Sequence, residues 1–233
     1  MAFERRFVRE LPFGTCVGIS LPAIETARGD DDPFDLPPIL HADEAAFARG
    51  LSPFRRAGWV GGRVALRAAL TAIAFDAPAP IFATPRGAPA LPPGVVGSVS
   101  HKNDLAVALV ARASGASAET LGIDVEVVRS LKHDIARHVL TSVERAALPP
   151  PGPARDAEVL LLFSAKEAIY KALDPRVQRF VSFQEAQIAH APGGALAARL
   201  TLAQGEGPFA VELDDASAAD VILVAARITP GVA

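Results

Sequence analysis

A single cysteine, Cys16, is too few for an internal disulfide or for a zinc site built on thiolates. No stretch approaches the roughly eighteen consecutive apolar residues that a membrane-crossing helix needs. The N-terminal MAFERRFVRELPFG mixes arginine with glutamate where an export signal requires an uninterrupted apolar core. An excess of one charge is also lacking: a net charge of −3 over 233 residues argues against a general nucleic-acid or anionic-membrane binder. Any anion site must therefore be a local cluster of arginine and lysine. Aromatic residues other than phenylalanine are nearly absent, with one Trp and one Tyr, so the aliphatic bulk comes from Ala, Val, Leu and Ile. Half the residues are hydrophobic and 21% are charged, a balance that folds. The expectation is a cytoplasmic protein with no membrane or nucleic-acid partner.

What is present falls into segments. GDDDPFDLPP reads as loop. From Ala42 to Ala74 the pattern is helical and rich in Ala, Leu and Arg, interrupted at Ser52-Pro53 and Gly61-Gly62. After a proline-rich loop, GVVGSVS and DLAVALVA read as short strands flanking His101-Lys102-Asn103. The small, polar stretch at 112–120 suits a link, dividing an N-terminal half (1–115) from a C-terminal half (116–233). LGIDVEVV reads as a strand. AEVLLLFSAKEAIYKAL reads as a strong helix, which Asp174-Pro175 is expected to stop. The tail alternates strand-like pieces with Gly, Pro and Asp turns. The class is α+β with antiparallel strands.

Four groups could carry chemistry. In LGIDVEVV, Asp124 and Glu126 are two apart and share a strand face. Carboxylates roughly 4 Å apart repel by about 4 kcal/mol at an effective dielectric of 20. A partly buried site tolerates that only if one protonates or a cation sits between them; an edge strand's polar face is the plainer alternative. Glu167 and Lys171 share a helical face, as a surface ion pair would. Ser98-Val99-Ser100-His101 by itself is a turn with a histidine. Arg49, Arg55, Arg56, Arg63 and Arg67 run without an intervening acid, an unbalanced patch that suits phosphate, and Arg86 adds a cation on a loop.

The order of these groups is more specific than any one of them. A basic helix is followed by R-G-x-P, GSVSH, LGIDVE and FSAKEAIYKAL. This resembles the 4′-phosphopantetheinyl transferases, in particular the medium-length type serving siderophore, polyketide and nonribosomal peptide synthesis. The likeness runs from about Arg55 to Phe183. The resemblance implies a pseudo-dimer of two similar halves with coenzyme A in the cleft between them, working as a monomer. The activity it implies moves the phosphopantetheine arm of coenzyme A onto a serine of acyl or peptidyl carrier protein domains, a holo-[acyl-carrier-protein] synthase reaction. By the same likeness, Asp124, Glu126 and Glu167 match ligands of Mg²⁺, with Mn²⁺ possible, and Glu167 and Lys171 match the catalytic pair. Arg55, Arg63, Arg86, Ser100, His101, Lys166 and Lys171 match positions that hold coenzyme A. For Arg56 and Arg67, structural packing is at least as good a reading. Arg176 and Arg179 are expected to border a docking surface for acidic carrier helices. Two rivals remain: a non-catalytic homologue that binds coenzyme A or a carrier, and a magnesium-dependent nucleotide phosphohydrolase.

Overall fold

Near-continuous burial along GTCVGIS and LAVALVAR marks the two central strands of the first of two units, Met1–Arg112 and Ala113–Ala233. The computed structural model describes residues 3–23, 35–114, 119–131 and 133–231. Most of GDDDPFDLPP and the middle of the expected link at 112–120 lie outside the described residues.

In the first unit, β1 (Arg5–Leu11), β2 (Gly14–Ser20), β3 (Val95–Lys102) and β4 (Leu105–Arg112) form an antiparallel sheet in the order β1-β2-β4-β3. Between β2 and β3 the chain makes α1 (Ala42–Arg49) and the long α2 (Pro53–Ala72). Proline opens α2 at its first turn, where its missing N–H costs nothing. The Gly61-Gly62 pair expected to interrupt this helix does not break it, and Gly61 instead lets it approach the sheet. A Cβ on Gly61 would lie 2.0 Å from Leu21 Cδ2 and 3.1 Å from Ala106 Cβ. Val17, Ile19 and Leu21 of the β2 segment and Ala106, Ala108 and Val110 of β4 pack there against Val60, Val64 and Leu66. His101 and Lys102 belong to β3; the turn falls at Asn103, whose φ is 50°.

The second unit repeats this plan. β5 (Thr120–Val127) precedes α3 (Ala136–Val139), α4 (Ser142–Ala146) and the 25-residue α5 (Pro153–Val177). β6 (Ala186–His190) and β7 (Leu196–Leu200) form a hairpin, and β8 (Phe209–Asp215) and β9 (Val221–Pro230) join β5 in the order β5-β9-β8. In both units the strand before the helices pairs with the last strand, which pairs with the one before it. The expectation of two similar halves is met at this level. Pro175 does not stop α5: it sits in the last turn, and the helix ends at left-handed Gln178, whose N–H donates to Asp174 O at 3.0 Å. A proline this close to the terminus removes only one helical hydrogen bond. Among the described residues no helix is long and apolar enough to cross a membrane.

At one edge of this unit His190 Nε2 meets Glu158 Oε1 of α5 at 2.8 Å, and that hydrogen bond holds the imidazole above its ordinary pKa of 6.5. A raised folded pKa gives stability that is complete below about pH 6.5 and fades as pH rises through the folded value. Urea midpoints of wild type and His190→Gln should therefore differ most at pH 5.5–6 and converge by pH 9. A gap that widened with pH would contradict the pairing.

Candidate active site

Gly122, Asp124 and Glu126 share one face of β5, and the glycine shows what that face meets. A Cβ there would stand 1.9 Å from Ala168 O and 2.9 Å from Ala172 N, so the backbone of α5 lies directly against the strand. Only glycine permits that approach. Asp124 and Glu126, on that same face, are buried, 5% and 4% exposed. Lys171, on the next turn of the helix, donates to Asp124 Oδ1 at 2.7 Å and to Ile123 O at 3.0 Å. Glu167, partly buried, lies four residues earlier on the same helical face.

Strand alternation puts Asp124 and Glu126 on one face and helix spacing puts Glu167 and Lys171 on another, and the Lys171–Asp124 contact joins the two. A positive charge beside Asp124 is the Lys171 ammonium. Among the described residues no three His, Cys, Asp or Glu side chains are already gathered as a metal-binding group. The donors nonetheless fit Mg²⁺ in kind, since they are hard carboxylate oxygens and Mg²⁺ needs few of them, filling its octahedron with water and phosphate.

Lys166 does not join them. It stands one residue before Glu167, about 100° around the helix, and is 2% exposed. Its ammonium donates to Glu144 Oε2 at 2.7 Å and to Phe183 O at 2.8 Å. Burial holds it below lysine's ordinary pKa, against the pull of Glu144. Its expected role in holding coenzyme A is corrected: the charge is spent inside the fold.

The basic run of the first unit divides in the same way. Arg63 is 4% exposed, donates Nε to Ile81 O at 2.5 Å and stacks 4.8 Å over Trp59, so its assignment to a coenzyme phosphate is also corrected. Arg67 binds Glu44 at 2.7 Å and the carbonyls of Ala77 and Ala79. Arg56 donates to Arg49 O and Leu51 O. Arg55 is exposed, one turn before Gly58, and a Cβ on Gly58 would fall 2.7 Å from His101 Cε1. Exposed His101 thus lies on the face of α2 that carries Arg55. Ser100, 8% exposed, alternates to the other face of β3 from His101. Arg86 is exposed on a tight turn closed by Gly87 N–H to Thr84 O at 2.9 Å, with Gly87 at φ 90°.

The expected docking cations are engaged as well. Arg179 is forked between Glu185 and Glu206, and Arg176 donates to Thr120 Oγ1 and lies over Phe209. Two residues that the sequence motifs did not single out stand apart, Glu44 and Glu144, at 0% and 3% exposed. Each is the fourth residue of a capping box, H-x-x-E and T-x-x-E, a pattern visible in the sequence.

Comparison with known proteins is consistent across both units. The family model described as the 4′-phosphopantetheinyl transferase superfamily matches residues 120–225, and that of the 4′-phosphopantetheinyl transferase N-terminal domain matches 43–111. The 4′-phosphopantetheinyl transferase Svp of Streptomyces mobaraensis is 38% identical over 174 residues, 73% of this chain and 69% of its own. The 4′-phosphopantetheinyl transferase PptT of Mycobacterium tuberculosis is 33% identical over 180 residues, 75% of this chain and 77% of its own. Enterobactin synthase component D of Escherichia coli K12 is 32% identical over 102 residues, 43% of this chain and 46% of its own.

Proposed function

The chain belongs to the 4′-phosphopantetheinyl transferase superfamily, and we infer from that premise that it transfers 4′-phosphopantetheine from coenzyme A to a carrier-protein serine. The serine oxygen bonds to the phosphorus that bears the pantetheine arm, the diphosphate P–O bond breaks, and adenosine 3′,5′-bisphosphate leaves. The observation that supports the residue assignment is the contact of Lys171 of α5 with Asp124 on the β5 face that also carries Glu126, Glu167 sharing the helical face of Lys171.

Glu167 takes the proton of the attacking hydroxyl, directly or through water, because an unaided serine is a poor nucleophile. Lys171, already 2.7 Å from Asp124, puts its ammonium where charge grows on the departing phosphate. Asp124, Glu126 and Glu167 would hold Mg²⁺, or Mn²⁺, which when bound neutralises charge on the diphosphate. Arg55, Arg86 and His101, the exposed members of the basic set, are suited to the remaining phosphates of coenzyme A. Arg63 and Lys166 serve the fold instead, and Ser100 is proposed only as a neighbour of His101. The carriers we assign are acyl or peptidyl carrier domains of synthases, with the holo-[acyl-carrier-protein] synthase reaction as the case of a fatty-acid carrier. One chain suffices for this chemistry, and we assign it to the cytoplasm, where coenzyme A and such carriers meet.

The test is to incubate the protein with coenzyme A, Mg²⁺ and an apo-carrier, and to weigh the carrier. A gain of one phosphopantetheine supports transfer. An unchanged carrier with free nucleotide released would point to hydrolysis, and no reaction to a binder.

A further inference from the structure

Glu44 and Glu144 occupy the same three-way junction in the two units. Each carboxylate accepts from the backbone N–H that caps its own helix, His41 at 2.9 Å and Thr141 at 2.6 Å. Each accepts from a backbone N–H beyond the long helix, Ile81 and Ile188, both at 2.7 Å. Each accepts from a cation on that helix, Arg67 Nε and Lys166 Nζ, again both at 2.7 Å. Both side chains are fully buried. A buried ion pair can often be replaced by apolar residues without loss of stability, so its use as a register device is the better-attested reason for keeping one.

The two long helices differ past their cations. After Arg67, the residues one and five positions on are Ala68 and Ala72; after Lys166 they are Glu167 and Lys171. Lys166 is also held by Phe183 O at 2.8 Å, so its ammonium has two fixed acceptors and little freedom to turn. A residue step is about 100° of helix rotation, so a modest twist of α5 would swing Glu167 and Lys171 away from the β5 face. We propose that Glu144 is a positioning residue: by clamping Lys166 it sets the rotation of α5, and with it the direction in which Glu167 and Lys171 meet Asp124 and Glu126. Glu44 is the internal control, the same junction on a helix whose corresponding positions are alanine. This inference rests on the function proposed above.

The experiment compares Glu144→Gln with Glu44→Gln in the full chain, reading Mn²⁺ binding by EPR titration, melting temperature, and kcat and KM for coenzyme A. Glu144→Gln should weaken Mn²⁺ and lower kcat by about 10–100-fold, the cost usual for residues that orient metal ligands, with KM for coenzyme A nearly unchanged. Glu44→Gln should lower the melting temperature comparably and leave the Mn²⁺ affinity as in wild type. Should Glu144→Gln fail to fold, Glu144→Gln/Lys166→Met removes the buried charge altogether and must show the same loss of Mn²⁺ affinity. Wild-type Mn²⁺ affinity and kcat in a folded Glu144 variant would overturn the proposal, as would an equal loss in Glu44→Gln. A wild type that neither binds Mn²⁺ nor modifies any carrier would overturn the proposed function and this inference with it. A wild type that does both, beside an unaffected Glu144→Gln, overturns only the inference.

Discussion

Glu167→Gln is expected to lower kcat for phosphopantetheinyl transfer by about 10²–10⁴-fold, the range of a general base in mutational terms. Glutamine has the same length and can occupy the same place on the helical face shared with Lys171. It removes both the proton acceptor and one anionic donor from the set with Asp124 and Glu126. The residue is only partly buried and no apolar core depends on it, so the melting temperature should shift little. Single-turnover mass measurement on an apo-carrier, at saturating coenzyme A, separates the chemical step from binding. Asp124→Asn makes an informative companion. It removes the partner that holds the Lys171 ammonium at 2.7 Å, and so disturbs the leaving-group end as well as the donor set. Turnover by Glu167→Gln at the wild-type rate would remove Glu167 from the mechanism.

The parts of this site that were legible in the sequence are those fixed by local periodicity. Two carboxylates at a spacing of two in LGIDVEVV had to share a face, and Glu167 and Lys171 at a spacing of four had to share another. Gly122 is the residue that lets the two faces meet, and it stands in the same motif as the carboxylates. What sequence could not supply was the azimuth of α5. Lys166 is adjacent to Glu167, and adjacency suggests a shared site; around a helix it means about 100° of separation, here enough to turn Lys166 into the core. Within the arginine run, packing is the reading that fits Arg56 and Arg67, and Arg63 joins them in the fold: no acid lies among these arginines, but Arg67 meets Glu44 and the three donate to the carbonyls of Leu51, Ile81, Ala77 and Ala79. Backbone acceptors leave no mark in a sequence. Arg179 shows the same effect, its charge taken by Glu185 and by Glu206 on a later loop. The strand pieces of the tail were readable from alternation, whereas the pairing of β5 with β9, from opposite ends of the unit, was not.

The largest effect on stability is expected at Lys166. Replacing it by methionine keeps the aliphatic volume but leaves the Glu144 carboxylate fully buried with only backbone amides for partners. Breaking one side of a buried pair costs about 3–5 kcal/mol, a large share of the roughly 5–15 kcal/mol that stabilises an ordinary domain. Glu144→Gln/Lys166→Met should recover part of that loss, because the uncompensated charge is gone. Recovery stops short of wild type, since the glutamine amide offers a carbonyl to only one side, while the N–H groups of Thr141 and Ile188 both point at that position. An unsatisfied buried donor costs about 1–3 kcal/mol, which sets the expected deficit of the double variant. Urea denaturation at pH 7, with midpoints compared at constant slope, measures all three proteins on one scale. Should Lys166→Met lose less than about 1 kcal/mol, the Glu144 carboxylate must find water or another cation once the ammonium is gone, and the junction would not be the dry, charge-balanced clamp that its 2.7 Å contact and full burial describe.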